Sequence, residues 1–197
     1  MASHDQIKEA LRFAEEGLGI FRELDHVPGT IYGLNLLGEL ARLDGKYNRA
    51  GLLYEECMWL SKNTNNTQRY ANCLANLSYV AYHQGNYDQA IDYLKRDLSI
   101  LDVFQLGYLT AIALAMIAGP IGAKGDAECA ARLLGASESQ LEAMNARVQP
   151  GDKGEIDNYK NVIERQLGET EFVKALVEGR GMTKEQALAM AMEWNLP

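Results

Sequence analysis

Histidines, cysteines and adjacent glutamates are the side chains in these 197 residues best suited to proton transfer, nucleophilic attack or metal binding. Such chemistry needs a base beside its nucleophile, or metal ligands that recur at short, fixed spacings. His4, His26 and His83 are scattered over unrelated segments and meet neither requirement. Cys57, Cys73 and Cys129 are odd in number and far apart, unlike metal knuckles or disulfide frameworks, so they read as small buried apolar residues. Glu15-Glu16 and Glu55-Glu56 read as the wet side of helices and not as acid–base pairs. The run Gly119-Pro120-Ile121-Gly122-Ala123-Lys124-Gly125 has glycines that could let backbone amides approach a phosphate. No strand precedes it, however, and no Gly-x-x-x-x-Gly-Lys-Ser/Thr loop occurs. No catalytic residue, metal ligand or cofactor is therefore expected.

What remains is recognition, and the elements that would present it are helical. An apolar content of 47% excludes intrinsic disorder. Only four prolines occur, alternating β-branched runs are absent, and Ala, Leu, Glu, Gln and Lys dominate between the glycines. A formal net charge of −8 argues against direct nucleic-acid binding, which relies on lysine and arginine releasing counterions. No apolar run approaches the roughly 20 residues that cross a bilayer. Met1-Ala-Ser-His-Asp also lacks the basic and apolar regions of a signal peptide, so a cytoplasmic chain without membrane contact is expected. Sequons at Asn65 and Asn76 carry little weight in such a chain.

Self-similarity organises the rest. Gly45, Gly85 and Gly125 lie 40 residues apart, and so do Ala10, Ala50, Ala90 and Ala130. Two copies spell the unit best, with Gly45-Lys-Tyr47-Asn-Arg-Ala50 matching Gly85-Asn-Tyr87-Asp-Gln-Ala90. A glycine ending a helix takes the left-handed conformation without a Cβ clash, so each unit turns there. Tyr47 or Tyr87 can wedge beside that turn, and the small alanine lets two antiparallel helices approach.

Leu34-x-x-Leu37-Gly38, followed by Gly45-x-Tyr47-x-x-Ala50-x-x-x-Tyr54, resembles the tetratricopeptide repeat. The second copy keeps Leu74, Leu77, Gly85, Tyr87 and Ala90 but carries Ser78 and Leu94 where a small and an aromatic residue are usual. The third keeps Gly125 and Ala130, has Ala127 for tyrosine, and places Pro120 inside its first helix, which should kink or end near Ala118. The resemblance implies an all-α, right-handed α-α superhelix of antiparallel hairpins with a C-terminal helical cap. A 40-residue period against the usual ~34 implies longer helices or longer inter-repeat loops such as 63–67.

The repeat array is read over 1–149, as a half repeat at 3–24 and repeats at about 30–62, 67–102 and 105–147, with a cap at 150–197. Ser3 and Gln6 form a capping box, and Val27-Pro28-Gly29 breaks the chain after that half repeat. Helices are expected at roughly 153–168, 169–179 and 183–195. Thr183-x-x-Gln186 is a second capping box, and Ile156, Tyr159, Val162, Ile163 and Leu167 form an apolar stripe. The segments 130–138, 167–172 and 178–187 are similar to the C-terminal tetratricopeptide sensor regions of large bacterial signal-transduction ATPases and LuxR-type transcriptional regulators. No ATPase or DNA-binding motif of those regulators occurs in this chain.

First helices line the groove in such arrays. Their faces left free by the apolar pattern carry Tyr32, Asn35, Glu39 and Arg42, then Asn72, Asn76, Tyr79, Tyr82 and His83. Asparagine can bond both a peptide N–H and a C=O, and tyrosine stacks at low entropic cost, so the expected guest is an extended protein segment or peptide, or a small effector. The lysine-rich clamp that some relatives use for a terminal carboxylate is missing. The leading reading is a non-catalytic sensor or regulatory module. The alternative is an assembly adaptor, or a self-associating homodimer with no effector.

Overall fold

The structure, a computed structural model, describes residues 4–195 and side chains from residue 7 onward. The box expected of Ser3 and Gln6 lies outside those residues. Among the described residues there are ten α-helices and no strand: α1 (His4–Glu23), α2 (Val27–Leu43), α3 (Tyr47–Asn63), α4 (Thr67–His83), α5 (Tyr87–Val103), α6 (Gly107–Ala123), α7 (Ala127–Ala143), α8 (Pro150–Leu167), α9 (Glu169–Arg180) and α10 (Lys184–Glu193).

Each helix from α2 to α7 is 17 residues long, and three-residue linkers join them. The 40-residue period therefore comes from long helices, and the link between repeats is as short as the turn within one. In every linker the middle residue has positive φ: Asp25, Gly45, Asn65, Gly85, Gln105, Gly125 and, after α7, Asn145, one every 20 residues. The hydrogen bonds repeat as well. Gly45 N–H donates to Arg42 C=O at 3.0 Å and Lys46 N–H to Ala41 C=O at 2.8 Å, the pair that defines a Schellman ending. His26, Asn66, Leu106 and Ala146 make the equivalent long-reach bond to Phe21, Ser61, Leu101 and Leu141.

Two compact units divide the chain, Met1–Gly85 and Asn86–Pro197. In the first, α1 packs on α2, α2 on α3 and α3 on α4. Its core joins Leu11, Ala14 and Leu18 of α1 to Ile31, Leu34 and Leu37 of α2, closed by Cys57 and Cys73. Burying a leucine such as Leu34 contributes roughly 2–3 kcal/mol. Ala50, at the close approach of the hairpin, is fully buried, and Ala90 and Ala130 are too in the second unit. Gly38 has a separate duty, because a Cβ there would sit 2.5 Å from the Tyr54 ring.

In the second unit α6 packs between α5 and α7, α8 and α9 cover α7, and α10 rests on α5, α6 and α7. Every residue from Thr110 to Gly122 is buried. The helix does not end near Ala118: it runs through Pro120 to Ala123. Proline sits in the last turn, where it removes one intrahelical bond, and Gly119 before it lacks the Cβ that proline would crowd. Gly119 and Gly122 also let α8 settle close, since added Cβ atoms would meet the Tyr159 ring at 2.6 Å and Ile163 at 2.8 Å. The glycine-rich run is thus the packed last turn of α6 followed by the linker at Lys124 and Gly125. Nor does Val27-Pro28-Gly29 break the chain. These residues form the first turn of α2, where proline's missing N–H costs nothing, and His26 Nδ1 accepts from Gly29 N–H at 3.0 Å as the cap.

The tail is helical where its stripe and capping box required. Ile156, Tyr159 and Ile163 are buried, and both reciprocal bonds of the Thr183 and Gln186 box are present, at 2.8 and 3.2 Å. Helices α7 and α9 cross at backbone distance. A Cβ on Gly135 would lie 2.1 Å from the Leu176 carbonyl oxygen, and one on Gly179 would lie 2.0 Å from that of Arg132. Ion pairs frame the crossing: Arg132 to Glu178 at 2.8 Å, and Arg180 to Glu138 at 3.1 Å and to Glu142.

Candidate functional site

The residues expected on the first-helix faces fall in α2 and α4 of the first unit, and most of them meet. Asn35 Nδ2 donates to Glu39 Oε1 at 2.7 Å, one turn away on α2. Asn76 Nδ2 on α4 donates to Asn35 Oδ1 at 3.3 Å. Farther along, the Arg42 guanidinium lies 4.4 Å from the centroid of the Tyr79 ring, a cation–π contact between the two helices. Tyr79 packs against His83 at 4.4 Å, and Tyr82 meets His83 edge-on at 5.4 Å.

Tyr47, read from sequence as a wedge beside the turn, joins this cluster. Its ring is parallel to that of His83 with centroids 4.8 Å apart, and it lies 6.4 Å from Tyr79. The turn of the first hairpin therefore hands an aromatic ring to the first helix of the next. No spacing rule on α4 alone could have found it.

Asn35 departs from the expectation of a free face. It is only 8% exposed, because its amide is engaged by Glu39 and Asn76. Glu39, Arg42, Asn72, Asn76, Tyr79 and Tyr82 are half-buried, and His83 is exposed. Tyr32 is 60% exposed.

Beneath the network lies Tyr54 of α3, fully buried. Its hydroxyl and the Arg42 Nε are buried without a hydrogen-bond partner of sound geometry. Burial drives the Tyr54 phenol well above its ordinary pKa, with the Arg42 charge opposing. Burial would weaken the Arg42 charge, but Tyr54 and Tyr79 outweigh it and raise its pKa. The site thus holds a fixed cation, a buried neutral hydroxyl, two amides and a stack of rings. These groups can hydrogen-bond and stack on a guest, and they include no base poised on a nucleophile.

The second unit contains a cavity of about 300 Å³ lined by Asp88, Asp92, Lys95, Lys124 and Trp194. Its polar groups engage one another. Lys124 pairs with Asp88, Lys95 Nζ donates to the Trp194 carbonyl at 2.6 Å, and Trp194 Nε1 donates to Asp126 Oδ2 at 2.9 Å. Sequence reasoning missed this clamp because Trp194 lies outside the repeat. No helix among the described residues is long and apolar enough to cross a membrane.

Successive α-helical hairpins at a fixed register, with polar and aromatic side chains on their first helices, define a helical-repeat solenoid. Residues 29–102 match the family model described as tetratricopeptide repeat. Among solved structures the chain is similar to BtubC (BKLC) from P. vanneervenii, at 13% identity and a TM-score of 0.67 over 91% of this chain and 76% of that one. It is also similar to a putative kinesin light chain from Podosopora anserina with nearly identical TPR-like repeats, at 16% identity and a TM-score of 0.64 over 89% and 86%. No curated protein matches the sequence. These likenesses establish a TPR-like solenoid fold and support a tetratricopeptide-repeat protein.

Proposed function

We propose that the chain is a non-catalytic module that binds an extended peptide segment along the α2 and α4 face of its first unit. The observation that carries this reading is the Asn35, Asn76, Arg42 and Tyr79 network linking two successive first helices. An extended strand laid across them would accept from Arg42 and exchange backbone hydrogen bonds with Asn76, while the rings of Tyr79, His83 and Tyr47 supply a stacking floor.

The module serves, in this reading, as the sensor or regulatory part of a larger cytoplasmic bacterial regulator, with residues 150–197 as the cap of its repeat array. Support comes from the tail segments that resemble such regulators. Residues 130–138 and 178–187 pack on one another through Gly135 and Gly179, so their sequences are tied by one contact. Occupancy of the face would bias the arrangement of neighbouring hairpins and so an attached output module.

Peptides selected against the purified chain from a random display library provide the test. Asn76→Ala and Tyr79→Ala should each weaken a selected peptide about tenfold, or ~1.4 kcal/mol, without altering helical circular dichroism. Equal affinity in both variants would remove this face from the function. A concentration-independent dimer dissolved by the same substitutions would favour self-association instead.

A further inference from the structure

Two of the three cysteines are brought together by the turn that separates them. Cys57 on α3 lies eight residues before Asn65, the middle of the three-residue linker, and Cys73 on α4 lies eight residues after it. Residues equidistant from the turn of an antiparallel helix pair stand at one level, and α3 packs directly on α4. Both side chains are fully buried, both are free thiols, and both close the same core cluster. One repeat earlier the same level of α1 and α2 holds Gly17 and Gly33, and a Cβ on Gly33 would stand 3.5 Å from the Leu18 Cα. Paired helices therefore come within side-chain contact at this level. One repeat later the two positions are Asp97 and Ala113, so the α3 and α4 pair differs from both neighbours in carrying a thiol on each helix.

The surroundings make the two sulfurs unequal. The thiols are in polar contact, and that contact is the main reason why Cys57 releases its proton more readily than an ordinary cysteine. The Arg69 charge and the Ser61 hydroxyl act in the same direction, against burial. For Cys73 the contact works the other way and, with burial, pushes the thiol far up. A thiolate is the attacking form, so one sulfur is suited to meet an oxidant and the other to resolve the product. Cys129 on α7 of the second unit is pushed up to about 12 by burial.

We infer that Cys57 and Cys73 form a reversible disulfide that fastens α4 to α3, with a peroxide as the oxidant. The Cys57 thiolate attacks one oxygen of hydrogen peroxide and the O–O bond breaks. The departing hydroxide takes up the proton that the thiol released and leaves as water. The Cys73 sulfur then displaces hydroxide from the Cys57 sulfenic acid, forming the S–S bond, and its own proton completes a second water. Two thiols are oxidised and one peroxide is reduced, giving one disulfide and two waters. Burial sets the rate, since peroxide enters only when the seat opens locally, and the finished bridge holds that seat closed. The pair lies in the core, so its chemistry is independent of what the α2 and α4 face binds.

Peroxide treatment of the whole chain, followed by unfolding, alkylation and peptide mass mapping, tests it. Cys57 and Cys73 should be recovered as one linked peptide pair lacking two hydrogen atoms, Cys129 should be alkylated, and dithiothreitol should restore all three thiols. The bridged chain should keep its helical circular dichroism and melt at least ~5 °C above the reduced one, because the bridge restricts the unfolded chain. In Cys73→Ala, oxidation should stop at a Cys57 sulfenic acid that dimedone traps. The mapping uses the natural chain, so it decides the matter even if that variant fails to fold. The inference fails if both residues stay reduced up to the onset of melting, or if they pass to sulfinic acid without a bridge. It fails also if Cys129 pairs with either of them, or if the bridged chain melts below the reduced one, which would mean that the bond forms outside the native seat.

Discussion

Asp97 offers the sharpest physical test of the fold. It is 3% exposed on α5, and burial raises its carboxyl pKa from 3.8 to about 7. A gap of about three pKa units corresponds to ~4 kcal/mol. The direction follows from linkage. The folded state holds the proton more tightly than the unfolded one, so the contribution is fully present below pH ~4 and is lost as the pH rises through ~7. Asp97→Asn keeps the shape and cannot ionise. Urea unfolding of both proteins between pH 4 and pH 8 isolates the effect, because every other titrating group is common to the two. The variant should gain ~3 kcal/mol relative to the natural protein across that range, a large share of a typical domain's stability. Stability curves that stay parallel across the range would refute the reasoning and mean that water or a donor reaches the buried carboxylate.

Two further outcomes follow from backbone geometry. Gly179→Ala places a methyl group on the Arg132 carbonyl and should cost ~2–3 kcal/mol in urea unfolding by forcing α9 off α7, with Gly135→Ala behaving alike. Gln105 has φ of 53°, a conformation costly for a residue with a Cβ, so Gln105→Gly should raise the thermal midpoint by the equivalent of ~0.5–1 kcal/mol, whereas Gly125→Ala, at φ of 101°, should lower it by at least as much.

The repeat was legible because its constraints admit few residue types. A left-handed turn favours glycine at 45, 85 and 125, and a close helix crossing favours alanine at 50, 90 and 130. The intervening turns were hidden because Asp25, Asn65, Gln105 and Asn145 take the same conformation with side chains that give a weak signal, and in glutamine's case none. Pro120 misled for a related reason. A rule derived from helix interiors takes no account of a glycine before the proline or of burial on all sides. Helical spacing found the polar face of α2 and α4, but the burial of Asn35 depends on Asn76, 41 residues away. The α7 and α9 crossing was equally invisible, since neither Gly135 nor Gly179 announces which backbone it admits.

The left-handed step that recurs every 20 residues restricts how such a chain can change length. A single residue inserted in a helix turns everything beyond it by ~100°, carrying apolar side chains off the core and moving the stop signal out of phase. Adding or deleting one helix with its linker would leave the phase intact but exchange the roles of all later helices, first for second. Only whole hairpins can be gained or lost without altering what each remaining side chain faces, so the molecule grows as a crystal does, by complete cells.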